Sequence, residues 1–255
     1  MSTNILFLHD NLLDAAILVA SGENADLPVE NLQDEFRTKV FESDLGTFNI
    51  VIDHGAAKAV TCIAIVNYNW DSEPTTFDLE FNAADAWGAP AETVDLAGTW
   101  VVNPDANGNR SIIIKTFASK SYRYNRLNII HADVAQIGRI YLGTYITPSR
   151  NYLLGDGLNH VDPSIIKRSA DGQEHADVLS KYRTMDFSFR FDKSEYSEIQ
   201  SFQKIFNSVG KSKDLIVAFN YDSYPAELTW YGKFTDYRVV KPYYYDVNMS
   251  FKEST

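Results

Sequence analysis

Seven consecutive residues, Val60-Thr61-Cys62-Ile63-Ala64-Ile65-Val66, constrain this chain more than any other feature. β-Branched side chains lose freedom in a helix and pack well on a pleated sheet. A run of them without polar alternation reads as a strand buried on both faces. Other short strands surround it. Phe48 to Asp53 runs into His54-Gly55, Thr76 to Phe81 alternates, Arg110 to Phe117 carries Ile112, Ile113 and Ile114, and Tyr124 to Ile130 is followed by Ile137 to Ile146. Strands separated by turn residues at such intervals indicate a sandwich or jelly roll. Helix signals are almost absent here apart from Leu12 to Ala20, whose Leu-Ala-rich stretch fits an opening strand or an irregular segment equally well.

The second half has a different pattern. Met185, Phe187, Phe189 and Phe191 alternate with Asp186, Ser188, Arg190 and Asp192, which predicts a strand with an aromatic core face. Asp192 stands three residues before Glu195 in a capping-box arrangement. Tyr196, Ile199, Phe202, Ile205, Phe206 and Val209 then recur at helical spacing until Gly210. The spacing predicts one amphipathic helix over about 193–209. Leu215 to Phe219, Ala226 to Phe234 and Tyr243 to Phe251 follow as further strands. The fold class is therefore mainly β, an N-terminal jelly-roll sandwich plus a C-terminal β domain with one helix.

Charge divides the chain the same way. Of the formal −11, residues 1–146 carry −10, from 9 Lys/Arg against 19 Asp/Glu, and they hold 5 of the 15 tyrosines. Between Thr147 and Lys181, Pro148, Gly155, Gly157, Pro163 and Gly172 interrupt a stretch with no sustained periodicity. The expected organisation is a domain at 1–146, a linker or long assembly loop at 147–181, and a β domain at 182–255.

The charge argues against a nucleic-acid partner, which needs Lys and Arg to displace counterions from phosphates. Cys62 is the sole cysteine, so an internal disulfide and a Cys-based zinc site are excluded. The longest apolar run, Ala15 to Ala20, is far too short to insert in a membrane. Met1-Ser2-Thr3-Asn4 lacks the basic start of a signal peptide, so the chain is expected to be made in a cytosol and not to leave it by that route.

The search for chemistry returns few candidates. Gly155-Asp156-Gly157 lacks the third glycine and the flanking elements of a dinucleotide loop. Asp105, Asn107 and Asn109 have calcium-loop spacing, but Arg110 and Thr116 stand where a glycine and a bidentate carboxylate are needed, so a polar hairpin turn is the better reading. His9, His54, His131, His160 and His175 are scattered. No catalytic, metal or cofactor site is expected, and the protein reads as a non-enzyme. Aromatic residues in polar loops are more suggestive: Tyr68, Asn69, Trp70 and Asp71 leave the buried strand together, and Trp87 lies between small residues. An exposed indole stacks on the apolar face of a sugar while Asn and Asp bond its hydroxyls, so these five are the candidate carbohydrate-binding residues. The alternative is that the tryptophans cap the sandwich core.

Ala25 to Asp34 (ADLPVENLQD), Lys39 to Ser43, the Phe48 to Asp53 strand and Ile63 to Asn69 together resemble the discoidin-type, galactose-binding-like jelly roll in its phage-borne form. Tyr124 to Ile129 fits its penultimate strand. Ile137 to Gly143, Pro148 to Tyr152 and the following strand, helix and Tyr231-Gly232 strand are similar to tail-tip proteins of long-tailed phages. The resemblance implies a structural virion protein of the tail tip or baseplate, made in the host cytoplasm and akin to distal tail proteins. Its partners would be copies of itself in a ring, hexameric by analogy, with tail-tube and baseplate hub proteins and a host cell-surface glycan. No loop matches a lectin's ligand motif residue by residue. The tyrosine-rich second half offers Tyr221, Tyr224, Tyr231, Tyr237, Tyr243 and Tyr245 as candidate interface residues. The competing reading is a carbohydrate-binding adhesion module, free or enzyme-associated.

Overall fold

The computed structural model describes residues 5–36, 39–100, 112–153, 157–169, 171–219, 221, 228–240 and 244–254. They divide into two units: 6–146 with 218–229, and 147–217 with 230–255 and the first five residues.

The first unit holds β1 (Leu6–Leu8), β2 (Ile17–Ala20), β3 (Phe41–Glu42), β4 (Thr47–Tyr68), β5 (Thr76–Asn82), β6 (Glu92–Asp95), β7 (Ile112–Ile130) and β8 (Gln136–Gly143). The segments expected as separate strands at Phe48–Asp53 and Val60–Val66 are one strand of 22 residues, and those around Ile112 and Tyr124 are one of 19. The two long strands pair antiparallel along most of their length, and the register shifts between Asp53 and Lys58 and again between Val60 and Cys62. Gly55, at φ +71, lies in the first shift, where a left-handed residue is needed and glycine bears it without strain. The break that reads as a turn in sequence is a bend within the ribbon.

That bend builds the sandwich. The sheet order is β3-β8-β4-β7-β5-β6, with β2 joined to β4. One half of the long ribbon lies between β2 and β5, the other beside β8. The core collects Leu18, Phe48, Ile50, Ile52, Phe77, Leu79, Phe81, Leu127 and Ile129 from the first half and Ile63, Ile65, Ile113, Ile137, Ile140 and Leu142 from the second. Cys62 to Val66 are buried on both faces, as their composition predicts. Leu12 to Ala20 resolves into a 3-10 turn at Leu12–Ala15, capped by the Asn11 side chain, followed by β2.

In the second unit the strands are β9 (Leu158–Val161), β10 (Ile165–Arg168), β11 (Glu174–Asp177), β12 (Tyr182–Phe191), β13 (Leu215–Ala218), β14 (Thr229–Val240) and β15 (Tyr245–Glu253). β13-β14-β15-β12-β9 lie side by side. The helix α1 (Tyr196–Val209) follows a 3-10 turn at Lys193–Glu195. The Asp192/Glu195 capping box is formed, and Gly210, at φ +56, ends the helix. Its buried face, Ile199, Phe202, Ile205 and Val209, meets the aromatic face of β12, with Phe202 4.9 Å from Phe189 and 5.8 Å from Phe191. The molecule is mainly β, a sandwich plus a β unit with a single α-helix among the described residues.

Residues 147–181 differ from the irregular stretch that their sequence suggests. β9 adds to the edge of the sheet on β12, and β10 and β11 form a hairpin of their own. Strands of four residues are too short to show a period, and the pairing of β10 with β11 is reinforced by cross-strand ion pairs that periodicity does not detect. Gly155, Asp156 and the turn read at Asp105–Arg110 lie outside the described residues.

Candidate functional site

The predicted sugar-binding loop divides sharply by burial. Trp70 is 1% and Tyr68 3% exposed. The Trp70 ring lies 5.2 Å from Tyr68, edge-on to Phe77 at 5.5 Å and stacked on His131 at 6.2 Å. Both are core residues, because the strand carries its inward alternation one step past its polar end, and neither presents a face to a ligand. Asn69 is exposed, but its amide is committed: Nδ2 donates to Val134 O at 3.1 Å, and Oδ1 accepts from Gln136 N at 2.8 Å. Asp71 is exposed beyond them.

Trp87 is different. It is half-exposed in the loop between β5 and β6, where its Nε1 donates to Asp85 Oδ1 at 2.6 Å and the Arg126 guanidinium lies 4.8 Å from its ring centroid. Asn82 Nδ2 donates to Ala86 O at 2.6 Å and holds the loop. An indole fixed at its polar end and stacked on a guanidinium keeps one orientation at little entropic cost.

Around it lies the outer face of the sheet. The inward positions of β5 and β7 are apolar, so strand alternation places Asp78, Glu80 and Asn82 outward, opposite Asn128, Arg126 and Tyr124. β4 contributes Asn49, Val51 and Asp53 in the next row, and β6 contributes Thr93 and Asp95. Arg126 Nε donates to Glu80, which is itself buried. Asp53 binds Arg123 through two bonds of 2.8 Å, and the guanidinium holds its carboxyl down at about 2. Asp78 shifts the other way: burial, then the neighbouring Asp95 and Glu80, push its carboxyl above the usual range. The face is thus one oriented indole beside a grid of carboxylates and amides, with Arg126 held on Glu80 and Arg123 on Asp53. Sequence reasoning named Trp87 but not its neighbours Asp78, Glu80, Asp85 and Arg126. Their signal was the polar half of two alternating strands, and only strand pairing brings those halves together.

The candidate interface tyrosines also separate. Tyr231 is 1% exposed and belongs to the interior, as does Trp230. Tyr237 stacks on Phe206 at 4.8 Å and secures α1 to β14; burial of its hydroxyl pushes it up to about 12. Tyr231 is therefore covered by the core, whereas Tyr237 stays partly exposed with its hydroxyl buried. Tyr221 is half-buried and accepts from Thr116 N at 3.2 Å. Tyr245 is half-buried with its ring 5.9 Å from that of Tyr196. Tyr224 and Tyr243 lie outside the described residues. Among the described residues, no group of three His, Cys, Asp or Glu is placed to hold a metal ion.

No family model matches the sequence, and no curated protein matches it. Solved structures similar to it include chitosan-binding module 1 of a chitosanase/glucanase from Paenibacillus sp. IK-5, at 16% identity over 53% of this chain and 100% of that one, with a TM-score of 0.41. The family 32 carbohydrate-binding module of NanJ from C. perfringens, solved with galactose, is 16% identical over 56% of this chain and 99% of its own, with a TM-score of 0.39. A fucose-binding module from Streptococcus pneumoniae is 15% identical over 53% and 95%, also at 0.39. At these identities and scores the likeness transfers neither a ligand nor a binding residue.

Proposed function

We propose that the chain is a non-catalytic glycan-binding protein whose first unit takes a sugar on the outer sheet face at Trp87. One observation carries this reading: a half-exposed indole, held by Asp85, is stacked on Arg126, a residue of the sheet face that also carries outward carboxylates and amides. Sugar rings offer an apolar C–H face to an aromatic ring and a rim of hydroxyls to acceptors, and this surface supplies both groups side by side. Asp78 and Asn128, paired across β5 and β7 on the same outer face, are the acceptor and donor offered to the sugar's hydroxyls. The proposal moves the sugar contact away from Tyr68 and Trp70. A glycan array on the full chain tests it. Binding that Trp87→Ala weakens about tenfold or more, at unchanged melting temperature, supports the site; an array without a hit removes it.

A second reading, a structural role at a phage tail tip with the second unit forming a ring, is favoured by a specific observation in that unit. The β10–β11 hairpin is exposed on both faces and displays apolar side chains. Surfaces of this kind are normally covered in an assembly. The two readings are compatible, since a ring would present many weak sugar sites at once. Electron microscopy of a particle carrying the protein tests the location: density for it away from the tail tip rejects this role and leaves the glycan site standing.

A further inference from the structure

Strands β10 and β11 make a two-stranded sheet that joins no other strand among the described residues. All their residues are exposed, as is every residue from Asp171 to Lys181. Two strands alone are marginal in water. Ile165 and Ile166 of β10, and Val178 and Leu179 just after β11, are between 47% and 78% exposed. Each strand has an outer edge outside its ladder, and such an edge is a template for another chain.

The two edges differ in charge. β10 carries Lys167 and Arg168, and β11 carries Glu174 and Asp177. Across the hairpin these groups already pair, Lys167 with Asp177 and Arg168 with Glu174, each at 2.7 Å. An acidic strand is therefore the matched neighbour for the free edge of β10, and a basic strand for that of β11. This chain holds both.

We propose that the hairpin is an arm that docks on a second copy of the chain, the outer edge of β10 in one copy pairing with the outer edge of β11 in the next. Basic and acidic strands then alternate across a continuous sheet. Pairing like edges instead sets like charges side by side, which is unfavourable. Charge also favours this place for self-contact. From Asp162 to Lys181 the arm holds Lys167, Arg168 and Lys181 against Asp162, Asp171, Glu174 and Asp177, nearly balanced in a chain of net −11. Two copies approach there with little of the repulsion that the rest of the surface imposes. An interface that joins unlike edges is head-to-tail, and it propagates to a closed ring where the rotation between copies closes. The inference rests on the assembly reading and names the surface that performs it.

Charge reversal in the full-length protein tests it. Lys167→Glu with Arg168→Glu makes both edges acidic, and Glu174→Lys with Asp177→Lys makes both basic. Sedimentation across a range of concentrations is expected to show assembly of the unaltered chain, at least about tenfold weaker assembly of each double variant alone, and recovery when the two are mixed, because unlike edges meet again. The ion pairs lost within each arm are exposed and contribute little to folding. Variants that assemble alone as the parent does, or a mixture that stays monomeric, overturn the arm. A parent chain that is monomeric throughout overturns both the arm and the ring. A ring that survives both reversals keeps the assembly reading and discards only the arm.

Discussion

Two tryptophans in adjacent loops have opposite fates, and burial decides between them. Trp70 ends inside the sandwich, so Trp70→Ala is expected to cost about 3–5 kcal/mol in a denaturant titration through lost packing and a cavity. Trp87→Ala is expected to leave stability nearly unchanged while removing sugar binding. Equal loss of stability in the two variants would contradict this assignment. Asp78 gives a second residue-scale prediction. Its carboxyl is pushed up in the folded protein by burial and by Asp95 and Glu80. The folded state therefore holds this proton more tightly than the unfolded chain, and the ionised group opposes folding at neutral pH. Asp78→Asn should raise the melting temperature at neutral pH, with the gain fading as pH falls through the folded pKa. A lower melting temperature would show that the carboxylate is stabilised there after all. Asp53 has the opposite sign. Arg123 holds it down from 3.8 to about 2, so its contribution is present above 3.8 and is lost as pH falls toward 2. Arg123→Ala should narrow the stability margin at neutral pH and leave the most acidic points unchanged.

At the scale of elements, strand pairing is fixed by a few demanding contacts. Arg183 on β12 and Glu253 on β15 are 6% and 8% exposed and joined by bonds of 2.7 and 2.9 Å. The Arg183 guanidinium lies 4.6 Å from the Trp230 ring centroid. Removing one partner leaves a buried charge, so Arg183→Met should cost about 3–5 kcal/mol, and Arg183→Met with Glu253→Leu should recover much of it. Additive losses in the double variant would show that the two side chains act independently. Nearby, a Cβ on Gly232 would stand 2.1 Å from Lys252 O, so β14 and β15 approach only because this position has no side chain. The helix was legible in advance because its cap, its apolar face and its terminal glycine are all local signals. The 22-residue β4 was not, since His54-Gly55 looks like a turn until β7 is laid beside it. The short strands β10 and β11 were likewise hidden, because their ion pairs join residues ten and six positions apart across a turn.

For the molecule as a whole, the charge asymmetry acquires a place. The excess acid lies in residues 1–146, and part of it faces outward around Trp87 as Asp78, Asp85 and Asp95. The nearly balanced remainder carries the exposed arm. The protein is expected to be cut by trypsin first at Lys167, Arg168 or Lys181, since all three lie in the exposed segment. Cleavage elsewhere first would place the least protected backbone outside the arm. What the sequence alone determined was the β class, the amphipathic helix, the buried Val60–Val66 run and the exclusion of disulfide and Cys-based zinc chemistry. Each of these depends on residue type and local period. Only the tertiary structure decided that Trp70 is core and Trp87 is surface, that Asp78, Glu80 and Arg126 share one face, and that the arm's two edges carry opposite charge. The physical reason is common to all three: burial and strand pairing join residues far apart in the chain, and neither composition nor periodicity records which strands become neighbours.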